Sequence, residues 1–351
     1  MAVKKKSRAA VLASQVNQTL GLEQGVRLGS DPYFKIERIP TGSLVLDRVT
    51  GGGFALGRHY ELFGDESSGK SYIVYKTMAL AQSRGKICAI VDPEHAFDYD
   101  RFSFLGGDPD ELIAHHPENA EDAVAVMMLL ARHAKDESLE VIGIDSVSSL
   151  VPTEEMSKDP REKDQPASQA RMMSKALRRI TTVNRRTLFL WTNQQRVDIG
   201  VKFGNPNVTS GGKALRYYAT GRIEFKRGQR IREKRSVVRQ GKKVETEIMT
   251  GRWINVHAEK DKSTRPYREG GFVFDYDAKV IVPEWEVISL GLEDGLIERS
   301  AKGVYSYVDL DGEEWAGNEK AFRRHLRENG QLFEEITDVI RDESENQGKG
   351  E

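Results

Sequence analysis

Residues 64–71 read Gly-Asp-Glu-Ser-Ser-Gly-Lys-Ser, a turn of the form G-x-x-x-x-G-K-[ST]. Gly64 and Gly69 let the backbone wrap closely enough for the amides of Asp65, Glu66, Ser67 and Ser68 to point at phosphate oxygens. Lys70 can then reach the β and γ phosphates of a nucleotide, and the Ser71 hydroxyl can ligate Mg²⁺. Such a site also needs a carboxylate at the end of a neighbouring strand. The apolar run Val141-Ile142-Gly143-Ile144 ends in Asp145, a second Mg²⁺ ligand. Another run, Ala89-Ile90-Val91-Asp92, is followed by Pro93 and Glu94. Glu94 beyond a strand end can orient or deprotonate an attacking water. Residues 188–194 end on Gln194, whose neutral amide can sense the γ-phosphate without repelling it. Lys70, Glu94 and Gln194 are therefore the catalytic candidates for hydrolysis of ATP with Mg²⁺.

These residues must be brought to one rim by a sheet. Strand-length apolar runs recur at Tyr60–Phe63, Ile87–Val91, Val141–Ile144 and Leu188–Trp191. Helical stretches at 70–84, 118–135 and 168–185 separate them. This alternation predicts a parallel sheet with crossover helices, whose carboxyl ends form the ligand rim. On the helix 168–185 the stripe Met172, Met173, Ala176, Leu177 and Ile180 is expected to pack into the core. Extended segments at 221–226, 246–249, 252–258 and 271–276 predict antiparallel additions at one edge. From 284 to 340 a small α+β appendage is expected, with a strand at Tyr305–Val308 and helices at 318–327 and 332–341. Residues 1–30 carry one short amphipathic pattern, Val11, Leu12, Val16 and Leu20, too small to fold alone. The stretch 195–212 is long, rich in Gly, Asn and Pro, and without clear periodicity, as functional loops are.

The chain has 351 residues, 38% hydrophobic and 30% charged, which is enough apolar mass for a core and argues against wholesale disorder. No run approaches the length of a membrane-spanning helix. The basic start, Lys4, Lys5, Lys6 and Arg8, lacks the apolar stretch of a secretory signal. One cysteine, Cys88, excludes an internal disulfide and suits a reducing, cytoplasmic compartment. Net charge is −1, yet its distribution is uneven. Residues 226–243 are strongly basic (Lys226, Arg227, Arg230, Arg232, Lys234, Arg235, Arg239, Lys242, Lys243) around a single Glu233, while 338–351 are mainly acidic. Charge alone fits either a polyanion-binding surface or a solvated hairpin and tail.

Taken together, the motifs resemble the bacterial RecA recombinases and their phage-encoded relatives, from about Ile36 to about Ile340. The lead-in TGSLVLD and GGGFALGR at 41–58, the loop GDESSGKS, VDPEHAFD at 91–98, VIGIDSVSSLVP at 141–152, ARMMSKALRRI at 170–180 and NQQRVDIGVKFGNPNVTSGGKALRYYA at 193–219 carry the resemblance in order. It implies a RecA-type P-loop ATPase core over 34–281, an N-terminal oligomerisation segment over 1–33, a small C-terminal domain over 282–340 and an acidic tail over 341–351. It implies an ATPase stimulated by single-stranded DNA, which forms a helical filament and exchanges strands with a homologous duplex. Residues 258–262, Ala-Glu-Lys-Asp-Lys, resemble the segment that completes a neighbouring subunit's ATP site, which nominates Lys260 and Lys262. For DNA contact the resemblance nominates Ser174, Arg178, Arg196, Ile199, Gly200, Gly211 and Gly212. Phe203 could stack on bases beside Ile199, and Lys213 replaces an asparagine and adds charge. Arg101 stands where the family carries an adenine-stacking tyrosine; Tyr99 or Phe102 could substitute, or Arg101 could stack through its guanidinium. The first DNA loop, 156–167, is charged and proline-containing, so its contacts do not carry over. A ring ATPase or helicase on the same core, and a nucleotide-binding regulator without strand exchange, are the rival readings.

Overall fold

The computed structural model describes residues 7–349 except 23–24, 135–137, 158–167, 198–206, 240–241 and 310–311. Residues 1–37 and 38–351 form two separate units. The first holds helix α1 (Arg8–Leu20). Ser7 caps it by accepting from the Ala10 amide at 3.2 Å, and Gly21 closes it in the left-handed conformation. No residue of α1 is buried, although Val11, Leu12 and Leu20 are apolar.

The second unit runs β1 (Arg38–Ile39), α2 (Leu44–Thr50), β2 (Phe54–Ala55), β3 (His59–Gly64), α3 (Lys70–Gln82), β4 (Ile87–Val91), α4 (Tyr99–Phe104), β5 (Leu112–His115), α5 (Ala120–His133) and β6 (Leu139–Ile144). It continues with α6 (Thr153–Met156), α7 (Ser168–Val183), β7 (Leu188–Val197), β8 (Asn207–Thr209), α8 (Ala214–Tyr218), β9 (Gly221–Arg239), β10 (Lys242–Asp261), β11 (Glu269–Asp275) and β12 (Val280–Ile281). It ends with α9 (Pro283–Glu293), β13 (Ile297–Arg299), β14 (Val304–Val308), β15 (Glu314–Asn318), α10 (Glu319–Glu328) and α11 (Gly330–Lys349).

The main sheet has the order β12-β11-β10-β9-β3-β7-β6-β4-β5. From β9 to β5 every pair is parallel, and β10, β11 and β12 add antiparallel strands at the other side. This is the expected α/β architecture: parallel strands buried on both faces read as continuous apolar runs. Tyr60, Leu62, Ile142, Ile144, Leu190 and Trp191 are all fully buried. Full burial of a side chain of this size contributes about 1.5–3 kcal/mol. On α7, Met173, Ala176, Leu177 and Ile180 are buried and Met172 packs partly against them, as the stripe predicted.

Two stretches differ from the sequence expectation. The separate extended candidates at 221–226, 246–249 and 252–258 are pieces of two long strands, of 19 and 20 residues, paired as one hairpin. β9 borders β3 only from Gly221 to Phe225, and β10 borders β11 only from Gly251 to His257. Beyond those limits, residues 232–239 and 242–249 pair only with each other, as a ribbon about 27 Å long. Alternation marks a strand only where one face is covered, and both faces of this ribbon are largely open, so its residues read as charge. The second difference is at 195–212, where β7 continues to Val197 and pairs antiparallel with β8. The segment is a hairpin base, not wholly loop.

The C-terminal part is α9, the sheet β13-β14-β15 and helices α10 and α11. It is tied to α2 by Arg48, which salt-bridges Asp294 and donates to Ser344 Oγ at 3.2 Å and to the Ile340 carbonyl at 3.3 Å.

Candidate functional site: a phosphate loop and its carboxylate rim

β3 ends on Gly64 and the loop 65–69 turns into α3. Gly64 has φ +127° and a Cβ there would lie 2.2 Å from the Phe225 carbonyl oxygen. No other residue type fits that approach of backbone to backbone. Gly69 caps α3 at φ +89°, with no side chain taking up the first amides and no acidic residue in the first turn. The helix start is thus open to an anion. Asp65 is held outside the loop: its amide donates to the Phe225 carbonyl at 3.0 Å, and its carboxylate accepts from the Arg227 amide at 2.7 Å. The Ser68 hydroxyl donates to the Asp65 carbonyl at 2.7 Å. Glu66 and Ser67 are exposed.

Lys70 folds over the loop and donates to the carbonyls of Asp65 at 2.5 Å and Gly64 at 3.3 Å. Burial pushes its ammonium below the ordinary value, and Asp145, Asp65 and Glu66 oppose that shift. A lysine so placed gains from any phosphate that replaces the carbonyls.

The strands to either side complete the rim. β6 ends at Ile144, so Asp145 lies beyond it, accepting from Ser71 and from the Thr192 hydroxyl. Burial pushes the Asp145 carboxyl above its ordinary range; the Ser71 and Thr192 hydroxyls pull it back, and Glu94 and Asp92 push it further up. A buried carboxylate crowded by two like charges favours a cation. The Ser71 and Asp145 oxygens are hard donors of the kind Mg²⁺ takes. With only these two protein oxygens, a Mg²⁺ here would keep waters and take nucleotide phosphate oxygens as its other ligands. Glu94 follows β4. Its Oε1 accepts from the Ser149 hydroxyl at 3.1 Å and from Ser146, and Asp92 shapes the turn by accepting from the amides of Glu94 and Phe97.

Gln194 stands on β7 in register with Gly64. Lys70, Ser71, Glu94, Asp145 and Gln194 therefore share one rim, as the strand ends predicted. Tyr99 and Arg101 lie on α4, which follows the Glu94 turn. Tyr99 is exposed; Arg101 is half-buried and its Nε has no partner; burial pushes the phenols of Tyr72 and Tyr75 on α3 up to about 12, and the Arg101 charge opposes that shift only in small part. Lys260 and Lys262 are elsewhere. Lys260 pairs with Arg222, and the Lys262 amide donates to Thr220, at the opposite end of the strands from Gly64. Both ammonium groups donate to the Tyr217 carbonyl at 3.2 Å. Burial, then Lys262 and Arg222, push Lys260 down to about 8.

Of the DNA candidates, Ser174 and Arg178 are exposed on α7, and Lys213 and Gly212 are exposed at the start of α8. Gly211 is buried, and its amide donates to Gln169 Oε1 at 3.1 Å. Gln169 also donates to the carbonyls of Val147 and Leu150, so one amide ties the ends of both loop segments together. Arg196 belongs to β7. Ile199, Gly200 and Phe203, and most of loop 156–167, lie outside the described residues.

Sequence reasoning missed a buried network on the other face of the sheet. Glu61 accepts from Arg222 Nε at 2.6 Å and from Asn193 Nδ2 at 2.9 Å. Arg222 also salt-bridges Glu259 and lies 4.4 Å from the Phe63 ring centroid. The available signal was a charged residue inside each of two apolar strands, Glu61 and Arg222.

A parallel sheet with a phosphate loop at the end of one strand, an aspartate ending a second and a glutamate beyond a third defines a P-loop ATPase. Comparison with known proteins narrows the class. The RecA N-terminal domain family matches residues 7–278. The chain is similar to Protein RecA of Rickettsia massiliae (strain Mtu5), 36% identical over 344 residues, 97% of this chain and 94% of that protein. It is equally similar to Protein RecA of Paenarthrobacter aurescens (strain TC1), 36% over 342 residues, 97% of this chain and 92% of that one. The chain belongs to the RecA family. It is an ATP-dependent recombinase, a nucleotide-binding, DNA-dependent ATPase, and DNA binding and filament formation come with the family. The ring ATPase and regulator readings are not favoured.

Proposed function

We propose that the chain hydrolyses ATP with Mg²⁺ at the rim of β3, β6 and β4 while polymerised on single-stranded DNA, and that the filament pairs its strand with a homologous duplex. The observation that carries the reading is the gathering of Lys70, Ser71, Asp145, Glu94 and Gln194 at one sheet rim, with the hairpin bearing 198–206 springing from Gln194. The amides of Glu66 to Gly69 and the start of α3 cradle the phosphates, while the Asp65 amide, expected from the motif to take part, is held by the Phe225 carbonyl. Lys70 neutralises charge on the β and γ phosphates. Ser71 and Asp145 hold Mg²⁺, which supplies charge stabilisation there. Glu94, pinned through Oε1 by Ser146 and Ser149, offers Oε2 to the attacking water. Tyr99 and Arg101 are assigned to the adenine side.

Lys260 and Lys262 are assigned to the site of a neighbouring subunit, in support of which they sit at the far end of the strands from their own phosphate loop. The uncovered apolar residues of α1 support residues 1–33 as the segment that docks on that neighbour. The remaining assignments are an ATPase core over 34–281, a small C-terminal domain over 282–340 and a tail over 341–351. DNA contact is assigned to Ser174, Arg178, Arg196, Ile199, Gly200, Phe203, Gly212 and Lys213, and to Gly211 only once its amide leaves Gln169, and is sequence-independent because it uses backbone, basic and stacking groups. The basic segment 226–243 is a further surface for DNA or a neighbour; neutral substitutions there that leave affinity and its salt dependence intact would remove the DNA version. A cytoplasmic setting is supported by the buried, unpaired Cys88.

The test is ATP hydrolysis with and without single-stranded DNA over a salt series, for the wild type and Glu94→Gln. Stimulation by any strand sequence, weakened by salt and abolished by the substitution, is expected. Hydrolysis indifferent to DNA would overturn the proposal.

A further inference from the structure

One face of the sheet carries a chain of polar groups, buried from Asn193 to Arg222 and open to solvent at Glu259 and Arg216, that joins the return of the proposed DNA hairpin to the segment of Lys260. Side chains alternate across a strand, so on β7 Gln194 and Thr192 share the face of Asp145, while Asn193 faces the other way. Register places Asn193 beside Phe63, and Glu61 beside both Trp191 and Arg222, all on that second face. Asn193 and Glu61 are fully buried and Arg222 nearly so. A buried carboxylate and guanidinium cost several kcal/mol in desolvation unless paired and hydrogen-bonded. A hydrophobic pair would pack here without that cost, so these charges contribute little net stability.

The chain can be followed atom by atom. Asn193 Nδ2 donates to the Ser210 carbonyl at 3.0 Å, where the hairpin that carries 198–206 returns to the core. The same Nδ2 donates to Glu61 Oε1 at 2.9 Å. Glu61 Oε2 accepts from Arg222 Nε at 2.6 Å. Arg222 NH1 reaches Glu259, the residue before Lys260, and Glu259 Oε1 accepts from Arg216 at 3.3 Å. Arg216 closes the path, because its own carbonyl accepts from the Lys260 ammonium. Arg222 and Lys260 are also register partners on β9 and β10. Every member is thus fixed by its neighbours, and each end rests on a segment with its own proposed ligand.

We infer that Asn193, Glu61 and Arg222 form a positioning relay that sets the placement of Lys260 and Lys262 according to the state of the DNA loop ending at Ser210. The inference rests on the reading above, in which 198–206 contact DNA and the two lysines act on a neighbour's nucleotide. None of the three relay residues touches the nucleotide. A shift of the Ser210 backbone pulls on Asn193. Glu61 has no slack, because its two oxygens are committed to different partners. Arg222 must follow or break its contact with Glu259, and either outcome moves the strand end that carries the lysines. The Glu61 carboxylate is committed at both oxygens and Asn193 Nδ2 at both its bonds, while Asn193 Oδ1 is buried without a partner, so the amide has an unsatisfied acceptor that a second arrangement of the loop can take up.

The test uses the full chain. The quantity measured is the ratio of ATP turnover with a homopolymeric single-stranded oligonucleotide to turnover without it. Asn193→Ala cuts the link to the loop and leaves the Glu61–Arg222 pair intact. The expected result is a stimulation ratio lowered at least about fivefold, with unchanged DNA-free turnover and ATP KM. A purely structural role would lower both turnovers alike and leave the ratio as it was, which would overturn the inference. If Asn193→Ala does not melt cooperatively, Glu61→Gln is read in its place, since it keeps the shape but offers only one acceptor. Lys260→Ala with Lys262→Ala separates the two readings. If that variant hydrolyses like the wild type, the interface reading fails. If it is impaired while both relay variants keep a normal ratio, the interface stands and the relay falls.

Discussion

Gln194 lies in parallel register beside Gly64, and three residues further the same strand passes into the hairpin that closes at Asn207. The residue that opens the phosphate loop and the residue that begins the proposed DNA hairpin are therefore neighbours across a single ladder. Whatever changes at the γ-phosphate is one side chain away from the base of that hairpin.

This adjacency sets the first expectation. Gln194→Ala removes the amide and leaves the ladder, so hydrolysis in the presence of single-stranded DNA should fall to the DNA-free rate. A drop of at least about tenfold in stimulated turnover is expected. Steady-state hydrolysis at saturating ATP, with and without DNA, measures it.

The phosphate loop itself is a backbone device. Gly64→Ala would place a methyl group 2.2 Å from the Phe225 carbonyl at a φ of +127°, so the loop or β9 must move. A loss of about 2–4 kcal/mol is expected, together with weaker nucleotide binding. Gly85→Ala is the control: φ is +73° but no atom lies within 4 Å of the added carbon. It should cost only about 1 kcal/mol and spare nucleotide binding. Denaturant melts and nucleotide titration compare the two.

If Lys260 and Lys262 serve a neighbour, the defect can be complemented between subunits. A Lys70→Ala subunit has no working loop but keeps both lysines; a Lys260→Ala, Lys262→Ala subunit has the reverse. Each should be nearly inactive alone. Mixed in equal amounts with DNA, they should regain a substantial part of wild-type turnover, because one class of junction is complete. Additive, near-zero activity in the mixture would place both lysines in their own subunit's chemistry.

A pH dependence comes from the seam between α2 and α9. Burial pushes the Glu286 carboxyl up to about 7 and Asp47 up to about 6; Ser43 and the Val45 amide pull Glu286 back and Asp47 pushes it up. The folded state thus binds more protons than the unfolded chain between the ordinary carboxylate range and pH 7. Stability contributed by Glu286 is full at acid pH and is lost as pH rises through about 7. Glu286→Gln should flatten that part of the profile and stabilise the protein at pH 8 relative to wild type by about 2 kcal/mol. Thermal melts of both proteins at pH 5 and pH 8 give the difference, which cancels other titrations.

Much of this protein could be read along the chain. A phosphate loop is a contiguous device, so GDESSGKS declared both its backbone path and its chemistry. Asp145 and Glu94 were legible because each directly ends or follows an apolar run, and strand ends of a parallel sheet share a rim. The family resemblance needed only the order of such segments. The helix stripe on α7 was legible from its period.

Strand order and long-range pairing were not. Nothing local in Glu61, Asn193 or Arg222 says that β3, β7 and β9 lie side by side, so that three polar residues inside apolar strands satisfy one another. Nothing in the charge run 226–243 says that it is a ribbon leaving the sheet, because alternation carries a signal only where a face is buried. The sequence by itself determined the phosphate chemistry and the alternating α/β plan, since these follow from neighbours along the chain. The tertiary structure alone decided that Gln194 meets Gly64, that Lys260 and Lys262 lie at the far end from their own loop, and that Asn193 holds Glu61, since each depends on which strands pair and in what register.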